Sequence, residues 1–299
     1  MSDCGDVLDA HQLHYSESSE MTGLSAETNL QTYDAPEVAA HYASLSYLTA
    51  CERMLFETYI PPGSRILDLG VGGGRTTPYL AKRASRYVGV DYAASMVQAC
   101  RTKFPELEFA VADAANLSAF SDASFDVVVF AFNGIDYVLP EQSRRLCFGH
   151  IHRVLRAGGV VIFSSHNARA VLTRPHWNRE RLRRIAGRFC AGSRALYSLL
   201  FIVLTLARLA FAFVQAMRDT LRRVFQRLPS RVFWRGEGNL VDSAHGGLLT
   251  HYWIPSRVMA EMAALDLHPE RIVGDEYPQR SHAYATDWYY YVFTKSFEK

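Results

Sequence analysis

At 299 residues, with 49% hydrophobic and 21% charged side chains, the chain can bury a core of its own, which excludes a disordered polymer and a miniprotein held by staples. The formal charge of +2 joins two unlike parts: Arg174 to Arg235 holds 14 arginines and no lysine against Glu180 and Asp219, a net +12, and the remainder carries −10. Five scattered cysteines without a CxxC pair argue against a disulfide framework or a metal centre, and Asp3, Asp6 and Asp9 against a secretory leader, so a cytoplasmic location is expected.

Residues 1–31 are polar and lack an apolar period, which predicts a mobile leader. Apolar residues at helical spacing predict a helix from Pro36 to Tyr59, stopped by Pro61-Pro62-Gly63. Five short β-prone runs follow, at Arg65–Asp68, Arg86–Asp91, Leu107–Val111, Phe125–Phe130 and Val160–Phe163, with helical segments around 76–84, 94–104 and 140–156 between them. Gly158-Gly159 is expected to end the last helix and lead into the fifth strand. This alternation predicts an α/β fold with a doubly wound, mainly parallel sheet over residues 32–167. An Arg-rich, helical insertion is expected at 168–246. Residues 247–299 then complete the sheet with strands at Leu248–Ile254, near Arg271–Val273 and at Trp288–Thr294, and a helix from Pro255 to Leu267.

The chemistry concentrates in Asp68-Leu69-Gly70-Val71-Gly72-Gly73-Gly74-Arg75, between a strand and a helix. Gly70, Gly72 and Gly74 permit positive φ and a close approach of backbone to ligand, and the helix start adds free N–H donors. No Gly-Lys-Ser/Thr follows, which disfavours a nucleoside triphosphatase. The spacing Gly-x-Gly-x-Gly and the preceding Asp68 disfavour a dinucleotide, because a carboxylate there repels a pyrophosphate but attracts an ammonium. Asp91 ends the second strand about 20 residues beyond the glycines, where an acid can accept hydrogen bonds from two ribose hydroxyls.

With these residues the sequence resembles the class I S-adenosylmethionine (SAM)-dependent methyltransferases over roughly 34–167 and 250–295. Asp113 in Val111-Ala112-Asp113-Ala114, the strand Phe125–Val129 with Phe132-Asn133-Gly134-Ile135-Asp136-Tyr137, and His152–Gly159 extend the likeness. The resemblance implies a seven-stranded sheet and SAM as cofactor. It places Asp68, Gly70, Gly72, Gly74, Asp91, Tyr92, Asp113, Ala114 and Phe132 around the cofactor, and Asn133, Asp136 and Tyr137 at the acceptor, with no metal required. Tyr33 and Tyr42 are lid candidates or core packing. His166, at the end of the fifth strand, is the candidate general base or a histidine bonded to backbone, with His245 and His251 as further candidates.

The implied activity is methyl transfer to O or N of a small molecule or glycan precursor. Its alternatives are a membrane-resident lipid, quinone or lipid-linked sugar as acceptor, or a non-catalytic module that binds SAM. Within the insertion, Ala195–Met217 is apolar except for Arg208 and is flanked by Arg194 and Arg218. Two readings stand: a helix on an anionic membrane surface, at the inner face of the membrane, or an apolar hairpin over the active site; mid-run Arg208 disfavours a transmembrane span. Arginines set among aliphatic residues, without lysine or stacking aromatics, argue against nucleic acid. Nothing in the sequence sets an oligomeric state.

Overall fold

The computed structural model describes residues 26–169, 194–225, 232, 235–242, 248–278 and 286–297. Three helices open it: α1 (Ala26–Tyr33), α2 (Pro36–Ala43) and α3 (Ala50–Tyr59). Residues 26–31, expected in the leader, therefore belong to a helix, and its Asn29 is fully buried. The expected single helix 36–59 is divided because Thr49 and Glu52 form a capping box: Thr49 Oγ1 accepts from Glu52 N at 3.1 Å, and Glu52 Oε2 from Thr49 N at 2.9 Å.

The α/β part runs β1 (Ser64–Leu69), α4 (Thr77–Ala81), β2 (Ala84–Asp91), α5 (Ala94–Lys103), β3 (Glu108–Val111), β4 (Phe125–Phe130), a 3₁₀ turn (Gly134–Tyr137), α6 (Glu141–Val154) and β5 (Leu155–His166). After it come α7 (Arg194–Phe225), β6 (Glu237–Asp242), β7 (Leu248–Trp253), α8 (Pro255–Ala263), β8 (Leu267–Gly274) and β9 (Trp288–Lys295). The main sheet has seven strands in the order β3-β2-β1-β4-β5-β9-β8. The five strands of the first half pair in parallel, whereas β9 runs antiparallel to both β5 and β8. The doubly wound sheet is therefore as expected, with its order reversing between β1 and β4, where ligands bind beyond the carboxyl ends of the strands.

Two expectations change. The strand at 248–253 lies outside this sheet and pairs with β6 in a separate antiparallel ribbon, so part of the insertion expected to be helical is a β arm. Gly158-Gly159 lies inside β5, not at a helix end: Leu155 already pairs with Phe125, and the register shifts before Val160 meets Val127. A bulge explains the glycines, because Gly158 has φ 68° and a Cβ on Gly159 would lie 2.8 Å from Arg156 O.

One face of the sheet packs Val128, Phe163, Tyr291 and Phe293 against Phe148, Ile151 and Met262. The other packs Ile66, Val129 and Ile162 against Leu55, Leu80 and Val97. Because both faces are covered, the strands read as nearly unbroken apolar runs, and their polar residues gather at the carboxyl ends.

Candidate cofactor and acceptor site

The glycine turn is shaped from within. Gly70, Gly72 and Gly74 have φ of 60°, 54° and 78°, the left-handed region that a side chain makes costly. Gly73, which the sequence did not single out, faces a harder constraint: a Cβ there would lie 2.2 Å from the backbone of Tyr42 and Ala43, where α2 ends on the turn. Lys103 joins the two by donating to Ala43 O at 2.8 Å, Leu45 O at 3.1 Å and Gly73 O at 3.5 Å. At Gly72 the nearest atom to a Cβ is Tyr42 Cδ1 at 3.7 Å, so crowding does not dictate that glycine, and its N–H is committed to Asp91.

Asp91 ends β2 almost fully buried. Its Oδ2 accepts from Gly72 N at 2.8 Å and its Oδ1 from Ala93 N at 3.0 Å. These bonds fix the carboxylate beside the turn and leave each oxygen a further lone pair. Burial pushes its pKa up to about 6, against the opposing pull of the backbone N–H groups.

Asp68 takes a different position from the one expected of a ligand for an ammonium. It is 1% exposed, and its Oδ2 accepts from Thr76 Oγ1 at 3.0 Å and Tyr87 Oη at 2.8 Å. Burial raises its pKa to about 6 as well. The structure therefore makes Asp68 a brace across the glycine turn, joining the end of β1 to the residues before α4. Asp113 is exposed, with Oδ1 capping Ala115 N at 2.8 Å, and Ala114 packs into the core.

Phe132 and Asn133 follow β4 with φ of 56° and 64°. Phe132 remains 41% exposed beneath the Arg75 guanidinium, 4.7 Å from its ring centre. Arg75 is held in turn by two hydrogen bonds to buried Glu52, at 2.5 and 2.8 Å. Sequence reasoning had no means of finding this pair, because 23 residues separate its members.

Three consecutive residues of β5 grip the turn after β4. Ser164 Oγ accepts from Asn133 N at 2.7 Å, Ser165 Oγ donates to Asp136 Oδ1 at 2.5 Å, and His166 donates through its main-chain N to Asp136 Oδ2 at 2.7 Å. The His166 imidazole adds a contact of 2.8 Å from Nδ1 to Asp136 Oδ2. Asp136 is thus fully buried behind the histidine rather than lining an open acceptor pocket. Burial pushes its pKa up, and its bonds to His166 and Ser165 oppose that shift. An ionised Asp136 fixes the proton on Nδ1, which leaves Nε2 as an acceptor facing Asn133 Nδ2 at 3.2 Å.

Aromatic rings enclose this end of the sheet. Tyr252 of β7 lies on His166, with ring centres 4.8 Å apart. Trp253 Nε1 donates to Ser165 Oγ. Tyr33 meets Tyr42, Tyr92 and Tyr137 at 6.0, 6.3 and 5.5 Å, bridging from the residue after Asp91 to the residue after Asp136. Tyr33 and Tyr42, expected as a lid or as core packing, join Tyr92 in one cluster packed on Ala39, Ala93 and Met96. Asn29 ties α1 to the β arm by donating to Leu249 O at 2.8 Å and accepting from Leu249 N at 3.2 Å.

His251 is set apart from this cluster, with Nδ1 2.9 Å from Asn239 Oδ1 and its pKa lowered by burial and by Arg144. His245 lies outside the described residues. Two buried polar atoms at the cleft lack partners, Tyr92 Oη and Asn133 Oδ1, beyond the ends of β2 and β4. A ligand rich in hydroxyl and amine groups fits that pattern, because it supplies the partners these atoms lack.

Residues 66–159 match the family model described as a methyltransferase domain. A demethylmenaquinone methyltransferase of Beutenbergia cavernae is 35% identical over 101 residues, which cover 34% of this chain and 40% of that protein. A trans-aconitate 2-methyltransferase of Azoarcus sp. is 32% identical over 114 residues, 38% of this chain and 43% of that protein. The chain thus spans less than half the length of these curated relatives. A SAM-dependent methyltransferase structure from Methanosarcina mazei shares the fold, with a TM-score of 0.51 at 16% identity, covering 82% of this chain and 98% of that one. Strand order, glycine turn and strand-end acid agree with that match: residues 66–159 are a methyltransferase domain by family model, set in a chain that has the fold of SAM-dependent methyltransferases.

Proposed function

We propose that the protein catalyses SAM-dependent methyl transfer to an oxygen or nitrogen atom that loses a proton as it is methylated. The observation that carries this reading is the buried Asp136–His166 pair at the carboxyl end of β5, on the same sheet edge as Asp91 and the glycine turn. Bound SAM supplies a methyl group on a sulfonium, which needs no further activation as a leaving group. Asp91 receives the ribose hydroxyls, Gly72 and Gly74 admit the backbone close to the ligand, and Tyr92 and Phe132 line the cofactor side.

The task of His166 is to take the acceptor's proton at Nε2 once the acceptor displaces the Asn133 amide from that nitrogen, while Asp136 keeps Nδ1 protonated and the ring oriented. Asn133 offers its amide at the same place, and Tyr137 and Tyr252 exclude water from it. The acceptor is a small molecule, a glycan precursor or a lipid-phase compound; the two relatives are named for demethylmenaquinone and trans-aconitate, which differ too much to transfer.

Titration calorimetry with SAM tests the cofactor, and mass spectrometry of cell extract incubated with enzyme and isotopically labelled SAM tests the transfer. Micromolar binding with label appearing on a protic heteroatom is the expected result. Absence of binding defeats the cofactor assignment, and label found only on carbon defeats the role of His166.

A further inference from the structure

The helix α7 runs for 32 residues and inverts the usual pattern of a surface helix. Leu199, Ile202, Val203, Leu206, Phe213 and Val214 fall at separations that place them on one helical face, and they are 50–66% exposed. Leu200, Phe201 and Leu204, between them in sequence, are better covered. No described α7 side chain joins the hydrophobic clusters. The exposed face extends about 22 Å along the helix axis at 1.5 Å per residue, too long and too continuous to pass as scattered surface apolar residues.

Charge decides what covers it. The helix carries five arginines, no lysine and one acid, Asp219, and its apolar run Ala195–Met217 is bracketed by Arg194 and Arg218. At 100° per residue the five arginines fall on the half of the helix away from the exposed apolar stripe, so the helix joins an apolar face to a cationic one, and an anionic lipid surface offers both an apolar phase and phosphates. Arg208 in the middle of the apolar run disfavours a span across the membrane and favours a helix lying along its surface.

We infer that α7 docks the protein on an anionic phospholipid surface, with Leu199, Ile202, Val203, Leu206, Phe213 and Val214 entering the acyl boundary. Topology ties this surface to the site at both ends. The chain leaves the main sheet at His166, passes through α7, and returns in the β6–β7 arm whose Tyr252 lies on His166. The inference does not depend on the chemistry assigned to His166.

Co-sedimentation of the full chain with phosphatidylcholine vesicles, with and without phosphatidylglycerol, at low and high salt, tests it. The double variant Leu199→Gln/Leu206→Gln alters two exposed side chains, and SAM titration checks that the variant keeps its fold. Wild type is expected to partition at least about tenfold more strongly onto the anionic vesicles, to be released by salt, and to lose about tenfold in the double variant with SAM affinity unchanged. Four outcomes overturn the inference: wild type remaining in the supernatant, equal binding to both vesicle types, a double variant that binds as wild type does, or a wild-type dimer that the double variant dissociates.

Discussion

The carboxylate of Asp136 and Nδ1 of His166 stand 2.8 Å apart across 30 positions of sequence, and with Asp136 ionised this one contact holds the imidazole proton on Nδ1. Asp136 Oδ2 also accepts the His166 main-chain N–H, so side chain and backbone of the same residue are fixed by one oxygen. Ser165 occupies the other oxygen and is itself held by Trp253. The histidine is therefore oriented by its own strand, by the turn after β4 and by the β arm together.

That arrangement predicts a spectroscopic signature. Two-bond proton–nitrogen correlation spectra of selectively labelled histidine should show the neutral form of His166 with its proton on Nδ1. Asp136→Asn should move the proton to Nε2 and lower turnover by about 10²- to 10⁴-fold, with SAM affinity held within about twofold. A wild-type spectrum with the proton on Nε2 contradicts the assignment.

Asp91 predicts a pH dependence whose sign differs between binding and folding. Its pKa near 6 means that the carboxylate is protonated as pH falls through that value, so SAM affinity should decline below about pH 6, approaching tenfold per unit. In the ligand-free protein, folded-state pKa values of about 6 for Asp68 and Asp91 exceed the unfolded value of about 3.9. Their contribution to stability is thus fully present below about pH 4 and is lost as pH rises through 6. Calorimetric titration and thermal melts between pH 4 and 8 should move in opposite directions, and Asp91→Ala should weaken SAM binding by more than about tenfold throughout the upper range.

Two glycine substitutions should separate crowding from flexibility. Gly73→Ala forces a Cβ to within 2.2 Å of the Tyr42–Ala43 backbone, and it should cost about 2 kcal/mol or more and loosen α2 from the turn. Gly149 sits within α6 with nothing near its missing Cβ, so Gly149→Ala should gain about 0.5–1 kcal/mol through helix propensity. Urea unfolding of both variants gives the comparison, and a neutral Gly73→Ala would show that the α2 contact is absent in solution.

The paired hydrogen bonds of Asn29 predict that α1 protects β7. Asn29→Leu removes both bonds to Leu249 and should raise amide exchange in 248–253 by about fivefold or more, leaving the main sheet unaffected. Exchange mass spectrometry with peptide resolution reads this directly, and unchanged protection of β7 would rule out the latch.

The sheet, the glycine turn and Asp91 were legible in the sequence because each is written in local pattern: short β-branched runs between helical periods, and an acid at a fixed distance from the glycines. Asn133, Asp136 and His166 were each legible as separate candidates, yet their contact with one another was not, since no spacing rule links the turn after β4 to the end of β5. Asp68 shows the same limit. Its place before the glycines suggested a ligand contact, and only the fold brings Thr76 and Tyr87 onto its oxygen.

Sequence by itself determined the alternation of strands and helices, the conformational freedom of the turn and the charge of the insertion, because backbone preference and side-chain period act over a few residues. Tertiary structure alone decided that residues 248–253 form an arm over His166 rather than a sheet strand, that α1 caps this arm, and that Asp136 lies behind an imidazole. Those outcomes depend on which distant backbone groups and carboxylates find partners once water is excluded, and that is settled by three-dimensional packing.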